Sequence, residues 1–113
     1  MKQIDKITIK ELSDMAAGMY GNLVKGVVDI NKQILVLDAE MHADEEQWLL
    51  ENGAKQNDLW GINLYPDKFG MDEFIEFDSM INIRPRQNNM SRGVEDETIR
   101  NRIIAIVHEK VSA

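Results

Sequence analysis

The sequence predicts an α+β fold: helices on one face of a mainly antiparallel, four-stranded sheet. Three observations carry that prediction. Hydrophobic spacing switches along the chain between the helical period and strict alternation. The segments fall in the order α-ββ-α-ββ-α. Only two prolines and a few short turn signals separate them. At 113 residues, 43% of them hydrophobic, the chain suits one domain over 1–113, with an ordered core from about residue 6 to about residue 111.

Thr8 followed by Glu11 is a capping box, and Ile7 with Leu12 supplies a hydrophobic staple, so a helix is expected from Ile9. Ile9, Leu12, Met15, Ala16 and Met19 share its inward face, and Gly21 marks its end. Two β-rich runs follow, Leu23 to Ile30 and Gln33 to Leu37, joined as a hairpin through Asn31 and Lys32. "ADEEQWLLENG" reads as a short helix, with acids in its first turn and Gly53 at its stop.

"DLWGINLY" and "EFIEFDSMINIR" are two further strands, separated by the turn-rich "PDKFGMD". Trp60, Ile62 and Leu64 alternate with Gly61, Asn63 and Tyr65; Ile75, Phe77, Ile81 and Ile83 alternate with Glu76, Asp78, Asn82 and Arg84. Such alternation describes a sheet with one covered and one open face. A last helix from about Asp96 buries Ile99, Ile103, Ile106 and Val107. Ile104 and Val111 widen its apolar arc, which suggests a second packed surface, a homodimer through this helix.

Composition excludes several classes. A net charge of -7 disfavours nucleic acid as a partner, because such binding draws its affinity from released phosphate counterions. No apolar run approaches the roughly 20 residues of a membrane span. "MKQIDKITIKEL" lacks the apolar core of a secretory signal, so a cytoplasmic protein is expected. The absence of cysteine removes disulfides, thiolate nucleophiles and thiolate metal sites. Without a phosphate loop, a dinucleotide fingerprint or a His-Glu-x-x-His helix, no cofactor is called for.

Three groups of residues are candidates for chemistry. Asp38, Glu40 and His42, two apart in an extended segment, share a side and form a carboxylate and imidazole set suited to a divalent metal. The neighbouring Asp44, Glu45 and Glu46 equally suit the positive first turn of a helix. Asn63, Tyr65, Asn82 and Arg84 form a polar stripe on the open face, where Asn and Arg can converge on an anionic or amide-bearing ligand. Gly61 in mid-strand points to a close approach there. Finally, all five arginines stand between residues 84 and 102. Arg100 and Arg102 belong to an acid-flanked helix and are expected to pair at home, whereas Arg84, Arg86 and Arg92 can meet an outside anion.

The runs "KGVVDINKQILVLDAEMHADEEQWLLENGAKQNDLWGINLYP" and "INIRPRQNNMSRGVEDETIRNRI" resemble a family of small bacterial and archaeal proteins of unknown function. The resemblance covers nearly the whole chain and implies one domain; it brings no activity, substrate or catalytic residue. The residues themselves suggest a binding module that presents Asn63, Tyr65, Asn82, Arg84, Arg86 and Arg92 to an acidic ligand or partner. The alternative is a metal-assisted hydrolase, with Glu40 and His42 on the metal and Arg84 or Arg86 on a substrate phosphate.

Overall fold

The capping box closes as the sequence predicts. In the computed structural model, which describes residues 1–113, Glu11 N–H donates to Thr8 Oγ1 at 3.2 Å and Thr8 N–H to Glu11 Oε1 at 3.1 Å. The helix it starts, α1, spans Ile9–Ala17 and ends on Gly18. Gly21, with φ of 89°, lies beyond that end. Met19 is therefore outside the helix and exposed, not on its inward face.

The remaining helices are α2, His42–Glu51, and α3, Glu97–Lys110. Seven strands complete the chain: β1 Lys2–Ile4, β2 Ile7–Thr8, β3 Val24–Asp29, β4 Ile34–Leu37, β5 Leu59–Leu64, β6 Ile75–Glu76 and β7 Val111–Ser112. The β3–β4 hairpin turns on Asp29, whose Oδ1 accepts the N–H groups of Asn31 and Lys32 at 2.9 and 3.0 Å. The left-handed residue of that turn is Gln33, with φ of 58°, which relieves Lys32 of a conformation it would resist.

The main sheet has five antiparallel strands in the order β1-β4-β3-β5-β6. The fifth strand comes from the N-terminus, where Lys2, Gln3 and Ile4 pair with Leu37, Val36 and Leu35. β2 and β7 form a separate parallel pair that ties the entry of α1 to the exit of α3. The long strand expected over 73–84 shrinks to Ile75–Glu76. Beyond Glu76 the chain leaves the sheet and folds back through short 3-10 turns, so the alternation of Ile81 and Ile83 does not continue a ladder.

Helices lie on both faces, not one. Val24, Val28, Leu35, Leu37, Trp60, Ile62 and Leu64 point into a large core with Leu12 and Ala16 of α1 and Ile103, Ile106 and Val107 of α3. Val27, Val36 and Leu59, on the alternate positions, pack with Leu49 of α2 in a second, smaller core. "GVVDI" and "ILVL" are near-continuous apolar runs, the mark of strands covered on both sides. The wide apolar arc of α3 has an internal explanation: Val111 is buried beside Ile7 in the β2–β7 pair, and Ile104 packs on the large core. That removes the observation on which a homodimer through α3 rested. No helix is long and apolar enough to cross a membrane.

Candidate functional site

The first turn of α2, the end of β5 and the chain following β6 enclose a cleft of about 450 Å³ on the α2 face. Its rim is apolar and exposed: Tyr20, Met41 and Met80 are 48%, 57% and 65% accessible. Its floor is polar and closed, with His42 and Asn63 only 7% and 6% accessible. Lys25, Tyr65, Glu76, Asp78 and Arg92 line the walls.

Each floor group is held by the fold. α2 turns His42, Glu45 and Leu49 toward the sheet, at the spacing of one helical face. His42 Nε2–H donates to the Ile62 carbonyl at 2.7 Å, which assigns the ring proton to that nitrogen. Asn63 Nδ2 donates to Glu76 Oε1 at 2.9 Å and to the Asp78 carbonyl at 3.3 Å. Its amide is thereby fixed, with a buried Oδ1 that has no partner. Tyr65 donates its hydroxyl to the same Glu76 oxygen at 2.9 Å. Arg92 Nε–H donates to Asp78 Oδ1 at 2.6 Å.

Electrostatics follow from this packing. Burial holds the His42 imidazole below the ordinary histidine range, helped by Lys25 and opposed by the Ile62 carbonyl, Asp78 and Asn63. Burial and then the Glu76 carboxylate raise the Tyr65 phenol, so it stays a donor. Deeper under α2, the Glu45 carboxyl is fully buried and pushed up to about 10 by desolvation. The Ala39 amide favours its charge somewhat, yet neither oxygen forms a hydrogen bond of full geometry.

The sequence-predicted residues separate. Asn63 and Tyr65 meet in the cleft, and Arg92 joins them from the loop. Asn82 is elsewhere: fully buried, it accepts the Gly61 N–H at 2.8 Å and donates to the Gly61 carbonyl at 3.0 Å and the Arg92 carbonyl at 3.0 Å. It stands in for a ladder partner along β5, where β6 has ended. The close approach at Gly61 is internal too, since a Cβ there would sit 2.6 Å from Ser79. Arg84 has its own edge: it donates to the carbonyls of Ile81, Gln56 and Leu59 and stacks 4.3 Å from the Trp60 ring centroid. Arg86 alone of the five is exposed and unbonded, over a shallow hollow with Gln56, Asn57 and Gln87. Arg100 and Arg102 do pair at home, with the Val94, Glu95 and Ile30 carbonyls in place of carboxylates.

The metal set is not brought together either. Asp38, with φ of 72°, lines a different hollow beside β1 and α1. Glu40 is exposed, and His42 stands in the cleft. No three His, Asp or Glu side chains gather as a metal-holding group.

Sequence reasoning missed Lys25, Met41, Met80 and Tyr20. Lys25 did leave a signal, as one cation inside the apolar run "LVKGVV". The apolar rim left none, because exposed methionines and core methionines read alike.

An antiparallel sheet covered on both sides, with one polar-floored cleft beside its second helix, places the chain among single-domain α+β proteins. Within that class it belongs to the family described as Protein of unknown function (DUF5674), whose model matches residues 2–110. No curated protein and no solved structure matches the chain.

Proposed function

We propose that the protein is a binding module for a small molecule that seats in the α2-face cleft. The observation that carries this reading is the buried, partnerless Asn63 Oδ1 under an exposed rim of Tyr20, Met41 and Met80. An unsatisfied buried acceptor costs roughly 1–3 kcal/mol, and a ligand that donates to it recovers that cost. An apolar rim over a few fixed polar groups is the usual build of a ligand site.

The arginine segment supports an acidic ligand less than the sequence suggested. Four of the five arginines already donate to carbonyls or to Asp78. No specific observation favours the metal-assisted hydrolase, because its proposed metal ligands and its arginine clamp line separate hollows.

Fragment screening by amide chemical shifts tests the cleft. Hits are expected to move residues 41–43, 63–65 and 76–80 together, and Met80→Ser, which removes apolar rim without adding charge, is expected to weaken them while leaving the thermal midpoint unchanged. A library whose hits all fall elsewhere, or which gives none, rejects the cleft as the site.

A further inference from the structure

We infer that the cleft selects a small organic cation: an amine or amidine nitrogen joined to an apolar body. This inference rests on the cleft being a ligand site and adds the chemical class of the ligand.

The two cations of the cleft are already engaged. Arg92 is held by Asp78 at 2.6 Å, and Lys25 Nζ lies 5.1 Å from the centroid of the Tyr20 ring. Its acceptors are not exhausted. Glu76 receives Asn63 and Tyr65 on Oε1 alone, and Asp78 receives Arg92 on Oδ1 alone. Each carboxylate thus keeps one oxygen without a protein donor, and Asn63 adds its buried Oδ1. Three spare acceptors, two of them on anions, match the several N–H donors of an ammonium or amidinium group.

The Asn63 oxygen, oriented by the bond its amide donates to Glu76, makes the same demand. It is enclosed beside the His42 ring with no hydrogen bond of full geometry, and an anionic ligand would set one more acceptor against it. Around it, Met41, Met80 and the Tyr20 face offer polarizable surface, which suits the alkyl or aryl body of such a ligand. The wider protein, at net charge -7, also favours the approach of a cation.

The test compares n-butylamine, n-butanol and butyrate, probes of one shape and three charges, by amide-shift titration against the full chain. The amine is expected to bind in the cleft roughly ten times more tightly than either partner, as charge-assisted hydrogen bonds predict. Glu76→Gln and Asp78→Asn keep an acceptor for Asn63, Tyr65 and Arg92, so their thermal midpoints serve as fold controls. Each should lower amine affinity several-fold. Asp78→Asn, by loosening Arg92, should also raise butyrate affinity.

Equal or tighter binding of butyrate or butanol in the cleft overturns the charge selection and leaves the cleft as a site. The same holds if library fragments occupy the cleft but the amine does not. A cleft that takes neither probes nor fragments ends both readings.

Discussion

The two faces of this sheet are built to different rules. On the α1/α3 face the core joins nineteen buried hydrophobic residues, with the unpartnered indole N–H of Trp60 as a buried polar atom among them. On the α2 face only four buried apolar residues cluster, and the same helix stripe that supplies Leu49 also buries His42 and Glu45. The first face supplies stability through area removed from water. The second carries buried polar groups that cost stability, and it is the face with the cleft. This division is what a protein needs if one surface must keep unsatisfied groups available while the fold survives.

The sharpest contrast between the faces is the response to truncation. Phe74→Ala, at 1% exposure in the large core and edge-on to Phe69 at 5.2 Å, should cost about 3–5 kcal/mol by urea unfolding. A loss under about 1 kcal/mol would contradict the dry face as the seat of stability. Asn82→Ala comes next. It strips the side-chain partner from the Gly61 N–H and carbonyl and leaves the Arg92 carbonyl with the Ser79 N–H alone, and should cost about 2–4 kcal/mol although no apolar contact is lost. Asn82→Asp, which keeps the acceptor and loses both donated bonds, should restore only part of that loss.

On the α2 face a substitution can stabilise. Glu45 holds its proton in the folded chain up to about pH 10, whereas an ordinary glutamate ionises near 4.5. Between those values the unfolded state releases the proton first, so stability falls as pH rises through the window. At neutral pH the cost is roughly 3 kcal/mol. Glu45→Leu should therefore raise stability by about 1–3 kcal/mol at pH 8, have little effect at pH 4, and flatten the alkaline slope of unfolding free energy. The N-terminal amine and Lys25 favour the Glu45 charge and Asp38 opposes it, all by less than burial does.

His42 works in the opposite direction. Its folded form resists protonation, so the unfolded chain takes up the proton first and stability falls as pH drops below 6.5. His42→Gln, which can still donate to the Ile62 carbonyl, should remove the part of the acid slope that begins at pH 6.5 and leave the alkaline slope.

The contrast between the faces also decides what the sequence shows. The α1/α3 face was legible because its signals are local. Thr8 and Glu11 cap α1, Asp96 caps α3 by accepting Thr98 and Ile99 N–H, and Ile103, Ile106 and Val107 keep helical spacing. The α2 face was not, because its partners are distant in the chain. Asn82 reaches Gly61 across 21 residues, and Arg84 reaches Leu59 across 25. An asparagine that replaces a strand has the same letters as one that faces solvent. Polar alternation over 73–84 therefore read as an open strand, when its Asn and Arg are structural. Glu45 was hidden for a related reason: an acid in a first helical turn reads as a dipole partner, and only the sheet beneath shows that this one points inward.

The smallest effect concerns the pair at the cleft wall. Arg92 and Asp78 are 2.6 Å apart, yet their side chains are 53% and 42% exposed, so the bond competes with water. Arg92→Ala should cost no more than about 1 kcal/mol, and less at high salt. The backbone carbonyl of Arg92, which accepts from Ser79 and Asn82, is unaffected by that change. A loss of several kcal/mol would mean that the side chain holds the loop onto the sheet, and the cleft wall would then belong to the stabilising part of the protein. A small loss would place the wall outside the stabilising part of the protein.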